Sequence, residues 1–342
     1  MLKACVLGAS GYTGAELVRL LASHAKFSIA ELCVSQHSED ANKCVSQVHP
    51  YLNGQVKGQL QALTNSKLAH LSQHMDAIFL ATPHEASHDW MPILTTGNAK
   101  VFDLSGAFRL KDTQVFSQYY GFEHRHLSQL HSAQYGLAEW YGEQIQQAKI
   151  IAVPGCYPTA SLTALKPLME NQLLDPSMRP VINAVSGVSG AGRKASLTSS
   201  FCEVSLQAYG VLGHRHQPEI AAYLGTDVIF TPHLGNFKRG ILATITVKVH
   251  AGVTPQQVDS AFQQAYAEHP MIRLLPHFPK LDDVVKTPFC DLHWKLDAQS
   301  GYLVIGSAID NLLKGAASQA IQCANLTFGY NSALGLIAGT ES

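Results

Sequence analysis

Apolar runs of strand length alternate with apolar stripes at helical spacing along the first half of the chain, and the second half turns to strand after strand. Lys3–Leu7 reads as a buried strand, the glycine-rich segment Gly8–Gly14 follows, and Ala15–His24 reads as an amphipathic helix. Ser28–Val34, Ala77–Ala81, Val101–Leu104 and Ile150–Val153 repeat the strand signal. Strands alternating with helices predict a doubly wound, parallel sheet. Ala160–Leu174 is apolar at helical spacing, with Thr159 as its expected N-cap. Beyond it, Pro180–Val185, Ile229–His233, Ile241–His250 and Tyr302–Ala308 are separated by turns and rich in β-branched residues. They predict a mixed or antiparallel sheet. Asp310 is expected to cap a long apolar-faced helix running through Asn325. No internal repeat or low-complexity segment interrupts this plan.

Composition narrows the classes. A chain of 342 residues suggests about two domains. Its 24 Lys and Arg against 25 Asp and Glu give a formal charge of −1, with no basic run to bind nucleic acid or an anionic membrane. The longest apolar runs are strand-sized, so no span of a bilayer is expected. The amino terminus enters a strand directly, without the architecture of a signal peptide. Seven cysteines are scattered without a Cys-x-x-Cys pair. Cys5, Cys33 and Cys323 fall in apolar runs as small core residues. An odd, unpatterned set fits a reducing compartment, and the expectation is a cytoplasmic protein.

Candidate chemistry begins at Val153-Pro-Gly-Cys156-Tyr-Pro-Thr159. The cysteine lies between a strand and a helix, where backbone N–H groups and the helix dipole favour thiolate, the nucleophilic form. Gly8-Ala-Ser10-Gly11-Tyr12-Thr13-Gly14, between strand and helix, suits a pyrophosphate at a helix start, although its spacing is Gly-x-x-Gly-x-x-Gly. After the second strand, where a ribose 2′-hydroxyl reader would be Asp or Glu, stand Ser35, Gln36, His37 and Ser38. The missing carboxylate favours NADP(H), and Glu39 and Asp40 read as a solvated loop. Thr82 and Pro83 follow the next strand and are expected beside the cofactor. His84 and His88 read as helix-start and surface residues. Ser105 and Arg109 lie in a loop after another strand and suit a phosphate or carboxylate.

Ser186–Lys194 is a glycine- and serine-rich loop ending in two cations, suited to an anionic ligand or an interface. The turn His233–Gly240 is expected at a sheet end or interface. His214, His216 and Glu219 open a helix near Pro218, and two readings compete there. They are metal ligands, or one histidine serves Cys156 as general acid/base with Glu219 or Arg215 orienting ligands. Asn311 at the last helix start could hydrogen-bond a ligand amide.

Taken together, segments 8–14, 102–109, 153–159, 186–193, 214–219 and 310–317 resemble the N-acetyl-γ-glutamyl-phosphate reductases, in order and along nearly the whole chain. The glycine turn and the Asp-Asn helix start are shared with the related aspartate-semialdehyde dehydrogenases. The resemblance implies an α/β Rossmann-type nucleotide-binding domain plus an α+β catalytic domain of the glyceraldehyde-phosphate-dehydrogenase type. The expected boundaries are 1–153 with 312–342 for NADP, and 154–311 for catalysis and dimerisation. Many relatives carry Ser-Ala-Asp-Phe-Arg where this chain has Ser105-Gly-Ala107-Phe-Arg109, so no acidic residue is required at 107.

The implied chemistry is attack of Cys156 on an acyl phosphate, with Arg109 and Ser105 receiving phosphate. Hydride from NADPH over Gly8–Gly14 follows, and His216 supplies a proton as aldehyde leaves. His214 is the alternative acid and otherwise a substrate ligand with Ser186 and Glu219. Gly8, Ser10, Gly11, Tyr12, Thr13, Gly14, Ser35, Ser38, Thr82, Pro83 and Asn311 are the expected cofactor contacts, and no metal is expected. The expected partners are a small acyl phosphate and further copies of the chain, as a dimer or tetramer. Aspartate-semialdehyde dehydrogenase, a Cys–His acyl hydrolase and a non-catalytic nucleotide sensor are the alternatives.

Overall fold

The computed structural model describes residues 1–340. Glu341 and Ser342, the end of the segment 312–342 expected in the first domain, lie outside the described residues. The chain forms two compact units, Met1–Gly155 with the chain from Ala316 onward, and Cys156–Gly315.

The first unit is built on seven strands: β1 (Leu2–Leu7), β2 (Phe27–Val34), β3 (Leu60–Ala62), β4 (Ala77–Leu80), β5 (Lys100–Asp103), β6 (Gln134–Tyr135) and β7 (Ile150–Ala152). Their order is β3-β2-β1-β4-β5-β7-β6, and every pairing is parallel. Ala4–Leu7 and Ala77–Leu80 are fully buried, as strands covered on both faces must be. The winding reverses between β1 and β4, and beyond the carboxyl ends of such a pair an open α/β sheet binds ligands. The helix after β1 runs Tyr12–Ala22 with Gly11 as N-cap, so the last three residues of the glycine segment already belong to its first turn. In the returning chain, helix Ser318–Thr327 is tied down by Gln319 Nε2, which donates to the Gly136 carbonyl at 2.9 Å.

The second unit carries β8 (Val181–Gly187), β9 (Gln207–Ala208), β10 (Ile229–Gly235), β11 (Ile241–Lys248), β12 (Ile272–Leu274), β13 (Cys290–Asp297) and β14 (Tyr302–Ile309). The order is β12-β13-β14-β11-β8-β10-β9. β8 pairs parallel with β10 and antiparallel with β11, which gives the mixed sheet expected from the sequence. Helix Cys156–Glu170 packs on β11 and β14, with Tyr157–Leu168 buried along its length.

Several expectations need correction. The helix begins at Cys156 and ends at Glu170, so Thr159 is buried inside its first turn and is no cap. Pro158 is the physical reason: a proline in the first turn lacks an N–H that would have no intrahelical partner anyway. Asp310 does cap, with Oδ1 accepting from the N–H groups of Leu312 and Leu313 at 2.8 and 3.0 Å. The helix beyond it is interrupted, however, opening with a π-helical turn at Leu313–Ala317. His88 is buried, not a surface residue. Asp40 is also buried, paired with Lys43 at 3.1 Å.

Candidate active site

In the second unit Cys156 is the half-buried first residue of a fifteen-residue helix. A thiolate there meets the positive end of the helix dipole. Tyr157 beside it gathers the other groups. Its ring lies 5.8 Å from both the His214 and His216 rings and 5.2 Å from Phe230. Its hydroxyl is 3.2 Å from both the His233 carbonyl and the Tyr209 hydroxyl. A phenol has one hydrogen; with that donated to the carbonyl, Tyr209 donates to Tyr157. Burial above all, then Tyr209 and the neighbouring Cys156 sulfur, holds the Tyr157 phenol far above its usual range, while Ser186 works the other way. Burial and Cys156 likewise push the Tyr209 phenol up. Cys156, Tyr157, Ser186, Tyr209, His214 and His216 thus form one neighbourhood.

The two histidines differ in their hydrogen bonds. The His216 backbone N–H donates to His214 Nδ1 at 3.1 Å. Nδ1 of neutral His214 is therefore the acceptor, and Nε2 carries the hydrogen. Burial first, then the Arg215 charge, pushes His214 down to about 4, so it is neutral at pH 7. His216 opens helix His216–Leu224 and is buried, with fully buried Glu219 one turn on. The metal reading of this trio gains no geometric support. Among the described residues, the group whose ligand atoms lie within shared reach of an ion is His88, Asp89 and His126. There His88 Nε2 accepts from the Arg125 N–H at 3.0 Å, and Nδ1 donates to Asp89 at 2.8 Å.

Asn311 belongs to this unit, and its amide works within it. Oδ1 accepts from the Gly240 N–H at 2.7 Å, and Nδ2 donates to Ser189 Oγ at 3.0 Å. Asp310 Oδ2 accepts from Arg239 Nε at 2.5 Å and from the Lys286 N–H at 2.6 Å. The Asp-Asn pair thereby holds the loop after β8 and the β10–β11 turn in place.

In the first unit the glycine turn sits at the carboxyl end of β1. Gly8 has φ +86°, and a Cβ on it would collide with the Ala81 carbonyl; one on Gly14 would collide with the Gly8 carbonyl. The two glycines let the turn pack directly against the chain after β4 and against itself, which leads the backbone into the N-terminus of the helix beginning at Tyr12, where a phosphate group can bind. His49, which sequence reasoning passed over, donates from Nε2 to the Ser10 carbonyl at 2.9 Å. Thr82 Oγ1 pairs with Ser87 Oγ at 2.7 Å, and Pro83 caps the helix His84–Leu94. Ser38 Oγ accepts from the Asp40 N–H at 3.2 Å, while Ser35 is exposed.

After β5, buried Asp103 organises the loop. Ser105 donates to it through both N–H, at 2.9 Å, and Oγ, at 3.0 Å. Both Ser105 donors serve the turn that Asp103 organises. Buried Arg109 donates to the Val153 and Leu104 carbonyls, each at 2.8 Å, which fixes the plane of a guanidinium with five N–H donors.

Comparison with known proteins follows the same division. The profile described as semialdehyde dehydrogenase, NAD binding domain, matches residues 3–148, and that described as semialdehyde dehydrogenase, dimerisation domain, matches residues 156–311. The N-acetyl-gamma-glutamyl-phosphate reductase of Pseudoalteromonas atlantica is 67% identical over 337 residues, 98% of each chain. That of Alteromonas mediterranea is 64% identical over 326 residues, 95% of this chain and 96% of its own. In fold, the chain is similar to the crystal structure of aspartate semialdehyde dehydrogenase II complexed with ASA from Vibrio cholerae. The TM-score is 0.71 at 17% identity, covering 96% of this chain and 98% of that one. The chain belongs to the N-acetyl-γ-glutamyl-phosphate reductase family of semialdehyde dehydrogenases.

Proposed function

We propose that this chain reduces N-acetyl-γ-glutamyl phosphate to N-acetylglutamate semialdehyde and phosphate, by way of a thioester on Cys156 and at the expense of NADPH. The observation that carries the reading is the gathering of a helix-start cysteine and two histidines around Tyr157. The substrate is taken from the names of relatives matched over nearly the full length.

Cys156 sulfur attacks the acyl carbon; the S–C bond forms and the bond from carbon to the phosphate oxygen breaks. His216 accepts the thiol proton and passes it to the departing phosphate, whose charge Arg109 matches. NADPH, when bound, would supply hydride for the thioester carbon, and the glycine turn Gly8–Gly14 of the first unit would hold its pyrophosphate. The resulting thiohemiacetal oxyanion collapses as the C–S bond breaks, which frees the aldehyde, and His216, reprotonated from solvent, supplies the proton that restores the Cys156 thiol. His214, neutral and with its hydrogen on Nε2, serves as a hydrogen-bond donor to substrate, and Ser186 and Glu219 shape the same neighbourhood.

The preference for NADP(H) is supported by the chemistry after β2. Asp40 is tied to Lys43, and the positions directly after the strand are Ser35 to Ser38. The chain works as a dimer or tetramer assembled through the second unit. Six large apolar residues between Leu197 and Leu212 are exposed there, Phe201 at 93%.

The test is phosphate-dependent reduction of NADP⁺ with N-acetylglutamate semialdehyde and, in parallel, with aspartate semialdehyde. Turnover of the acetylated aldehyde is expected. Turnover of aspartate semialdehyde alone overturns the substrate assignment, and thioester hydrolysis without a nicotinamide absorbance change overturns the reaction class.

A further inference from the structure

Gly315 stands in the π-helical turn Leu313–Ala317, directly over the first residue of the helix that carries Cys156. A Cβ at Gly315 would lie 2.8 Å from Cys156 Cβ, 3.2 Å from Cys156 Cα and 3.3 Å from Ile309 Cδ1. The backbone of Gly315 does not itself require glycine, because its φ is not among the positive ones. Glycine is the poorest helix former after proline, so its presence in a helical turn with ordinary φ asks for a steric reason. The steric reason found is the backbone and Cβ of the nucleophile.

Nothing around the turn yields easily. The Gly315 N–H donates to the Asp310 carbonyl at 3.0 Å, and the Asp310 carboxylate holds four further donors, two in the turn itself and two from Arg239 and Lys286. Ile309 is fully buried at the end of β14, paired with Ile241 on one side and Cys290 on the other. An added methyl therefore displaces the start of the Cys156 helix in preference to the turn. π-Helical turns are often found at functional sites.

We propose that Gly315 is a positioning residue for Cys156: the bare backbone of the π-turn sets where the nucleophile's Cα, and so its sulfur, sits. The proposal rests on the reading of Cys156 as the nucleophile. Its further content is that the space at residue 315 is a determinant of rate.

The test compares the full-length wild type with Gly315→Ala, Ile309→Val, the double variant and Cys156→Ser. Steady-state kinetics, melting temperature and the pH-dependent rate of Cys156 alkylation by iodoacetamide are measured for each. Gly315→Ala is expected to lower kcat by about ten- to a hundredfold, since ångström-scale misplacement of a reacting group costs that order. Substrate KM is expected to change less than about threefold, because the displaced group acts after binding. Its alkylation rate or pH profile should move as well, which a loss of stability alone does not produce. Ile309→Val removes Cδ1 from the other side of the crowded space, so the double variant should recover most of the lost kcat while Ile309→Val alone stays near wild type.

Gly315→Ala with wild-type kcat and alkylation overturns the proposal. So does a fall in kcat and melting temperature with unaltered alkylation. If Gly315→Ala does not fold, the double variant decides: wild-type turnover and alkylation support the proposal, and turnover as low as a misfolded enzyme overturns it. Full turnover by Cys156→Ser would instead bring down the nucleophile reading itself.

Discussion

His214 and His216 are two residues apart and share a ring contact of 4.7 Å, yet their surroundings suit them to different work. His214 accepts the His216 backbone N–H and is pushed by burial to about 4. A group of that pKa is a poor proton shuttle near neutrality but a good fixed donor through Nε2–H. His216→Asn is therefore expected to lower kcat by about a hundredfold to ten-thousandfold, while His214→Asn mainly raises substrate KM. A kcat collapse confined to the His214 variant reverses the assignment. Acid stability provides a second readout. Folded His214 binds its proton only near pH 4, whereas the unfolded side chain does so near 6.5. Between those values the unfolded state holds more protons, so stability falls as pH drops from 6.5 towards 4 and the contribution is complete above 6.5. His214→Asn should lose less melting temperature than wild type across that window; parallel curves count against the buried, neutral assignment. The His-x-His spacing was legible in the sequence, but the division of labour was not. It depends on a turn that aims one backbone N–H at the other residue's ring.

At the level of elements, the strand–glycine turn–helix unit was legible because three signals agreed: an apolar run, glycines at the turn and an amphipathic stripe. His49 gave no comparable signal. It lies 39 residues from Ser10 in sequence, at the end of a four-residue helix, and only folding brings Nε2–H to the Ser10 carbonyl. That bond fastens one carbonyl of a turn whose N–H groups must face an anion. A neutral hydrogen bond of this kind contributes about 1 kcal/mol, so His49→Phe is expected to raise KM for NADPH by about fivefold with kcat little changed. An unaltered KM would remove His49 from the cofactor site. β13 went unread although Cys290, Leu292, Trp294 and Leu296 alternate with Asp291, His293, Lys295 and Asp297, a period-two signal. Its buried Asp291 is paired with Arg273 Nε at 2.6 Å, and its Trp294 ring stacks on Phe262 at 3.9 Å. Loop chemistry was harder still. Ser105 and Arg109 have the residue types of a phosphate site, but Asp103 takes both Ser105 donors, a competition that residue types alone do not reveal.

At the scale of the molecule, the change from alternating strands and helices to successive strands foretold a parallel sheet and then a mixed one, since each sheet type imposes its own connections. The pattern could not foretell which surface of the second unit is left bare. The chain from Leu197 to Leu212 exposes Leu197, Phe201, Leu206, Tyr209, Val211 and Leu212, and it contains β9, the edge strand of its sheet. An open edge bordered by large apolar side chains is a surface for association. The same segment delivers Tyr209 to the Tyr157 hydroxyl, so covering it with another copy would also steady the neighbourhood of Cys156. Phe201→Ser is therefore expected to shift the protein towards monomer in light scattering, and to make specific activity rise with protein concentration. Phe201 itself, 93% exposed, has little packing within the chain to lose, so melting of the isolated monomer should change little. A variant that keeps the wild-type mass at every concentration would place the interface elsewhere on the second unit. A monomeric variant with full, concentration-independent activity would show that assembly and the Tyr209–Tyr157 contact are uncoupled.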